Sequence, residues 1–270
     1  MQLRDITIGQ YFPLNSPIHK MDARFKILLT GVFIAMLFYG KSIAGLAIGA
    51  LFVVLVTVIS RVSFIMVIKS VKPIIPILIF TGILNLFFLQ DGEVYFKWKF
   101  IKITEYGIET SVFMLFRIVL LVCGSSLLTY TTSPIVLTDA IERLLSPLKK
   151  FKMPVHELAM MMTIALRFIP TLIEETDKIM AAQKSRGADL ETGGIVKRAK
   201  ALLPILIPLF VSAFRRAEEL ATAMECRCYH GGDGRTRLKV LKSSYRDYLG
   251  TFITLLFFGM IITVNALNVF

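Results

Sequence analysis

Long apolar runs separated by charged segments set the pattern of this chain. A helix that crosses a membrane needs about 20 mainly apolar residues at about 1.5 Å each. Five runs reach or approach that length: Ile27–Gly40, Ser42–Ser60, Pro73–Gln90, Gly107–Tyr130 and Tyr248–Phe270. The first is short, and Lys26 and Lys41 bracket it. We therefore predict an all-α integral membrane protein with about five transmembrane helices.

The connection between the third and fourth runs has a different pattern. Residues 94–103 read VYFKWKFIKI, in which aromatic and apolar residues partly alternate with lysines. Alternation with a period of two is typical of strands, so we predict a strand or small hairpin at the membrane interface.

The connection between the fourth and fifth runs has a helical pattern. From Leu158 to Met180, apolar residues recur at spacings of three and four, which predicts an amphipathic helix from about Val155 to about Arg186, with a kink at Pro170. A second helix is predicted over Ile195–Glu225 and a shorter one over Ile135–Leu148. These helices are too charged to span and too apolar to be fully solvated, so we expect them to lie along one membrane face.

These elements divide the chain into four parts. Residues 1–26 form an N-terminal segment, 27–134 hold spans one to four, 135–247 hold the three further helices, and 248–270 form the last span.

Composition and charge agree with this division. The chain is 55% hydrophobic, and 31 Lys and Arg against 19 Asp and Glu give a net charge of +12. Such a composition disfavours a soluble enzyme, a disordered tail and a disulfide-rich secreted module. Placing the N-terminus in the cytoplasm puts most of the basic residues inside, as the positive-inside rule requires. The basic patch Lys197-Arg198-Lys200 is then a contact for anionic lipid and not for nucleic acid.

Both long predicted helices end in similar sequences. The first ends in Ala182-Gln183-Lys184-Ser185-Arg186-Gly187, and the second in Ala223-Met224-Glu225-Cys226-Arg227-Cys228. Small residues flank each arginine, which leaves the guanidinium free to meet a partner's carboxylate in a groove. The alternative is two solvated arginines near helix C-termini, where the helix dipole favours cations. Spacing alone favours this alternative.

Several segments together resemble a known family. The chain is similar to the transmembrane T component, EcfT, of energy-coupling factor transporters (CbiQ/EcfT-like), which are ABC-type importers of vitamins and trace metals. That family carries two Ala-Arg-Gly motifs at the ends of its coupling helices, matched here by Ser185-Arg186-Gly187 and Cys226-Arg227-Cys228. Three more segments look like the family: residues 9–26 (GQYFPLNSPIHKMDARFK), Tyr130–Pro134 and Leu166–Pro170.

The resemblance implies a non-catalytic subunit of the plasma membrane with two kinds of protein partner. The motif residues would bind two ABC ATPase subunits, and the coupling helices would transmit ATP-driven motion to a substrate-binding membrane protein, the S component. The residues expected to contact the S component are Met160, Met161, Met162, Leu202, Leu203, Leu206, Leu209 and Phe210. The second motif departs from the family because Cys228 replaces glycine. Since cysteine resists a positive φ, we expect the second helix to end differently from the first.

Other candidate chemistry is weaker. Gly40-Lys41-Ser42 resembles the end of a phosphate-binding loop, but the preceding glycine and strand are missing. Cys226-x-Cys228-x-His230 lacks the spacing of a closed zinc site, so neither a metal nor a cofactor is predicted. Glu174-Glu175 lacks a catalytic partner at suitable spacing and is expected to make contacts on its own helix surface.

An alternative function is a stand-alone secondary transporter. Such a protein is expected to carry charged residues at mid-membrane, and only Arg117 fits that description.

Overall fold

The computed structural model describes residues 11–40, 42–88, 94–98, 101–188, 194–231 and 243–267. Helices dominate these residues, which confirms the predicted all-α membrane fold. The described residues form two compact units, one made of residues up to 137 together with those from 243 onward, and one made of residues 138–231.

The helices of the first unit follow the apolar runs closely. They are α1 (Ala23–Tyr39), α2 (Ile43–Ser60), α3 (Phe64–Lys69), α4 (Ile75–Phe88), α5 (Glu105–Thr131) and α9 (Tyr245–Ala266). A 3-10 turn over Lys72–Ile74 joins α3 to α4. The third predicted span therefore begins about nine residues earlier than Pro73 (Phe64–Phe87 by length and hydropathy), while its predicted end at Gln90 lies outside the described residues.

Five helical segments of the described chain are long and apolar enough to cross a membrane. They are α2, the joined α3–α4 segment, α5, α7 (Val155–Ser185) and α9. The predicted first span corresponds to α1, which has 17 residues and is not among these five. Helix α7, which was expected to be too charged to span, is among them by length and hydropathy. Of these five, α7 has the lowest hydropathy. Its second half also carries Glu174, Glu175, Asp177 and Lys178.

The short first helix is completed by side chains from other helices. At 17 residues α1 is about 26 Å long, less than the roughly 30 Å apolar layer. Its last carbonyl groups therefore need donors from elsewhere. Arg117 on α5 donates to the Gly40 carbonyl at 2.6 Å, and Asn265 on α9 donates to the Tyr39 carbonyl at 2.6 Å. The Arg117 guanidinium also lies 4.6 Å from the Phe113 ring centre.

A buried polar cluster joins the other end of the same helices. The Lys26 ammonium donates to the Thr131 carbonyl at 2.9 Å and to the Thr132 hydroxyl at 3.1 Å, so it caps the C-terminus of α5. Asp247, which is fully buried, caps α9 through the backbone N–H of Ser244 and also accepts from the backbone N–H of Asp22. Asp22 in turn pairs with Arg24 at 2.7 Å.

Between these ends the core of the unit is apolar and closely packed. Phe33 on α1 stacks on Phe52 of α2, with ring centres 5.4 Å apart. A Cβ at Gly124 of α5 would lie 2.1 Å from the Phe33 ring, so only glycine allows this approach of α1 to α5.

The predicted hairpin is present. Strands β1 (Val94–Trp98) and β2 (Ile101–Thr104) pair antiparallel, with Trp98 opposite Ile101 and Val94 opposite Thr104.

The remaining helices also match their predicted ranges. Helix α6 covers Pro134–Leu145 and is followed by a 3-10 segment over Ser146–Phe151. Helix α7 begins after Pro154 and continues through Pro170, while α8 runs Ile195–Glu225 and contains Pro204 and Pro208.

Candidate functional site

Helix α7 ends in a closed hydrogen-bond motif centred on Arg186. The N–H of Gly187 donates to the Lys184 carbonyl, and the N–H of Ala188 donates to the Gln183 carbonyl, both at 3.0 Å. Gly187 has a φ of +83°. This pair of bonds and the left-handed residue define a Schellman motif, in which Arg186 is the last residue before the chain turns away.

Helix α8 ends in the same motif. The N–H of Cys228 donates to the Glu225 carbonyl at 2.9 Å, and the N–H of Tyr229 donates to the Met224 carbonyl at 3.1 Å. Cys228 takes a φ of +54°. The expectation that cysteine would change this helix end is therefore wrong. The two closing hydrogen bonds and the free carbonyls they satisfy outweigh a cost of roughly 1–2 kcal/mol for a left-handed non-glycine residue.

The two arginines occupy equivalent positions, 41 residues apart, in these two motifs. All six motif residues are exposed: Ser185, Arg186, Gly187, Cys226, Arg227 and Cys228. Within the part of the chain that the structure describes, neither guanidinium has an ion-pair or hydrogen-bond partner. Two exposed cations are thus held in matching geometry at two helix ends.

Helices α7 and α8 pack against each other in opposite directions. Glu175 of α7 contacts Ser212 of α8, and Gln183, eight residues later, contacts Pro204, eight residues earlier. From the first contact, Arg186 lies roughly 16 Å along α7, and Arg227 lies roughly 22 Å along α8 in the opposite sense. The two tips therefore point apart and lie up to roughly 40 Å from each other.

An acidic residue between the helices fixes their register. One carboxylate oxygen of Glu175 accepts a hydrogen bond from the Ser212 hydroxyl, and the other pairs with Arg216 at 2.7 Å. The expectation that Glu175 makes contacts on its own helix is wrong, because its partners lie on α8. Ser212 and Arg216 are four residues apart and so share a helix face. That spacing was the signal available in the sequence.

A second polar contact joins the first motif to the prolines of α8. Pro208 has no N–H, so the Pro204 carbonyl lacks its ordinary helical partner four residues later. The side-chain amide of Gln183 donates to that carbonyl at 3.4 Å. Gln183 stands three residues before Arg186, so the same turn of α7 carries this contact and the first motif.

The side chains expected to contact an S component are largely uncovered. Six are exposed: Met161, Met162, Leu202, Leu203, Leu206 and Phe210. Met160 and Leu209 are half-buried. The neighbouring Ile205 is buried and faces the protein. The apolar middle of α8 thus presents one buried and one exposed side.

Other sequence candidates have defined places. Among the described residues, no group of three or more His, Cys, Asp or Glu is arranged to hold a metal ion. Arg117 caps the Gly40 carbonyl, so it serves the fold, and the feature that favoured a stand-alone transporter has this structural role.

Two of the segments singled out in the sequence meet in the structure. Besides the Lys26 contacts with Thr131 and Thr132, the N–H of Phe12 donates to the Tyr130 carbonyl at 3.1 Å. His19 holds this N-terminal turn, because its Nε2 donates to the Phe12 carbonyl at 3.0 Å and its Nδ1 accepts from the Ser16 hydroxyl at 2.7 Å. Burial, and then the nearby Lys26 charge, lower the pKa of His19 from its ordinary value of 6.5.

Comparison with known proteins gives the family. Residues 14–238 match the family described as cobalt transport protein, CbiQ. The chain is 54% identical over 263 residues (97% of this chain and 98% of the relative) to the energy-coupling factor transporter transmembrane protein EcfT of Ruminiclostridium cellulolyticum. It is 53% identical to that of Clostridium kluyveri, over 94% of both chains. To that of Bacillus subtilis it is 47% identical, over 89% of this chain and 91% of the relative. The chain therefore belongs to the EcfT family of energy-coupling factor transporter transmembrane proteins, which are multi-pass membrane proteins.

Proposed function

We propose that this chain is the coupling subunit of an ATP-driven importer and binds two ABC ATPase subunits through the tips of α7 and α8. The observation that carries the proposal is the matched pair of helix ends, with exposed Arg186 and Arg227 in equivalent positions. A guanidinium offers five donors in a planar fork and suits a carboxylate at the bottom of a groove. Each tip takes one ATPase subunit.

The antiparallel packing of α7 and α8 supports two separate partners rather than one. Tips that point apart by up to roughly 40 Å reach two grooves on two subunits. The hydrogen bond from Ser212 to Glu175 and the ion pair between Glu175 and Arg216 hold the helices together between the tips. When ATP brings the two ATPases together, the tips move with them, and the packed helices shift as a body.

The exposed apolar side of α7 and α8 is proposed to contact a substrate-binding S component. Its methionines and leucines present an adaptable apolar surface, which suits a subunit that serves more than one partner. The Phe210 side chain is 62% exposed and is the largest of the set. Movement of this surface would reorient the S component and release a vitamin or micronutrient inside the cell.

The excess of basic residues supports a cytoplasmic N-terminus. We infer that residues 135–247 lie on the cytoplasmic face, where ATPases reside, and that α7 lies there too and does not span, which the charges Glu174, Glu175, Asp177 and Lys178 support. Most of the basic residues lie within residues 135–247 and the N-terminal segment, which this orientation puts on one side. ATP hydrolysis belongs to the partners, so this subunit itself is not an enzyme.

Reconstitution into liposomes tests the proposal. We expect the purified chain alone neither to transport substrate nor to hydrolyse ATP. The chain together with two ABC ATPases and an S component from the same organism should take up substrate when ATP is supplied. ATP-independent uptake by the isolated chain would contradict the proposal and favour a stand-alone secondary transporter.

A matched pair of variants tests whether the contacts between α7 and α8 contribute to coupling. Arg216→Ala removes the ion-pair partner of Glu175 and leaves Ser212, whereas Arg215→Ala alters the exposed neighbouring residue and leaves that ion pair intact. In the full complex, we expect Arg216→Ala to lower the substrate transported per ATP hydrolysed, and Arg215→Ala to leave that ratio unchanged.

A further inference from the structure

An apolar cavity of about 300 Å³ lies within the first unit, among α1, α2, α5, α9 and the N-terminal turn. Phe33 and Val53, at one end of the cavity, are buried. Tyr245 and Arg246, at the other end, are exposed. The cavity is thus closed in the interior and accessible at the end that carries the polar cluster.

The shape of the cavity follows the helix axes. Lys26 and Phe33 both line it and are seven residues apart on α1, so the cavity extends at least about 10 Å along that helix. Its volume falls at the lower end of the range for ligand sites. A narrow apolar space of this length suits a hydrocarbon chain better than a compact polar molecule.

The charged side chains among the described residues that line the cavity are basic. Among the described residues, its lining includes the basic residues Lys26 and Arg246 and no carboxylate. The Lys26 ammonium is held by Thr131 and Thr132. The Arg246 guanidinium makes no hydrogen bond or ion pair with any described residue, and the neighbouring Asp247 is committed to Ser244 and Asp22. Arg246 is therefore free to bind an anion at the accessible end.

Water is a poor occupant of such a space, because a buried water needs two to four polar partners and these walls are apolar. Leaving the cavity empty forfeits dispersion contacts along its whole length. Three of the four helices that line it are apolar enough to cross a membrane, so bilayer hydrocarbon is the apolar material at hand.

We propose that this cavity holds one acyl chain of an anionic phospholipid, whose phosphate binds Arg246. The chain lies against Phe33, Phe52 and Val56, and the headgroup remains at the level of Lys26 and Tyr245. The site depends only on the membrane location of the first unit. This proposed lipid site is therefore independent of the proposed contacts with ATPases.

The test is retention of lipid by the full chain in nanodiscs made of equal parts phosphatidylglycerol and phosphatidylcholine, read by native mass spectrometry. We expect one phosphatidylglycerol per chain, retained roughly fivefold over phosphatidylcholine, as one basic residue near a headgroup provides. Arg246→Gln should abolish this preference and keep a bound lipid. Arg61→Gln, which changes an exposed arginine that does not line the cavity, should keep the preference.

Variants that fill the cavity provide a second test of the lipid site. Val56→Trp places a large ring in the cavity and should remove the retained lipid, whereas Val54→Trp, an exposed position on the same helix, should not. Thermal unfolding of each variant shows whether it is folded. Equal retention of the two lipids by the wild type, or undiminished retention by folded Val56→Trp, would overturn the proposal. So would a phosphatidylglycerol preference that survives Arg246→Gln.

Discussion

The side-chain amide of Gln183 on α7 donates a hydrogen bond to the carbonyl oxygen of Pro204 on α8, with 3.4 Å between nitrogen and oxygen. That carbonyl is left without a helical donor because the residue four positions later is Pro208. A proline that weakens one helix thus creates the acceptor that joins it to the other.

A double-mutant cycle tests this relationship. Gln183→Leu removes the donor, and we expect it to lower the free energy of unfolding by about 0.5–1 kcal/mol. Pro208→Ala restores the backbone N–H, so Gln183→Leu should have almost no further effect in that background. Thermal unfolding of the four proteins measures the coupling. Equal effects of Gln183→Leu in both backgrounds would show that the Pro204 carbonyl is not its target.

The cap on the short first helix gives a second prediction. Arg117→Leu leaves the Gly40 carbonyl without its donor within the apolar layer, which we expect to cost about 2 kcal/mol of stability. Arg117→Lys keeps a donor and the charge and should lose less. Thermal unfolding in detergent measures both. An Arg117→Leu protein as stable as the wild type would mean that another group satisfies that carbonyl.

The left-handed residue at the end of α8 gives a third prediction. Cys228→Gly relieves the positive φ and should preserve binding to ATPases, whereas Cys228→Val makes the left-handed conformation unfavourable and should weaken it several-fold. Thr222→Val is the matched control, because Thr222 is exposed on the same helix, outside the motif, and is already β-branched in a helical conformation. Co-purification of the ATPases is the measurement. A larger loss of co-purified ATPase with the control valine variant than with Cys228→Val would contradict a role of this turn in ATPase binding.

The N-terminal turn should respond to pH through His19. Because the pKa of His19 in the folded protein lies below its ordinary value of 6.5, the unfolded chain binds more protons as the pH falls through that value. This contribution to stability is complete above the ordinary pKa and declines below it. The wild type should therefore lose more thermal stability between about pH 7.5 and about pH 5.5 than His19→Gln does. An identical loss in both proteins would show that His19 does not titrate in this way.

Much of the fold follows from local pattern. The three-and-four spacing of apolar residues predicted α7 and α8 to within a residue at each end, since a 31-residue periodic helix is a strong signal. The Arg117 cap could not be predicted, because its acceptor at Gly40 is 77 positions away and depends on how α1 packs against α5.

The site was predicted less evenly. Arg186 and Arg227 were singled out by their similar neighbours and by the family resemblance, and their role in binding stays a prediction. The residues that fix the two helices against each other were missed. Glu175 and Gln183 act across the pair, and their partners become evident only when the antiparallel register is known. Cysteine propensity gave the wrong expectation for Cys228, because two backbone hydrogen bonds decide the conformation there.

The proposed function requires that each of the two arginine tips binds an ABC ATPase. The most direct test is gentle detergent purification of the tagged protein from native membranes, followed by mass spectrometry of the proteins that accompany it. Arg186→Glu combined with Arg227→Glu reverses the charge at both tips, and Arg215→Glu reverses an exposed charge on α8 away from them.

We expect two ABC ATPases and small membrane proteins to accompany the wild type and the Arg215→Glu control. The amount of ATPase that co-purifies with the double variant should fall at least about tenfold, since each reversed charge pair at a docking site costs more than about 1.4 kcal/mol of binding free energy. Retention of the ATPases by the folded double variant would contradict the assignment of Arg186 and Arg227. Absence of any ATPase with the wild type, in a preparation that preserves another membrane complex, would contradict the proposed function itself.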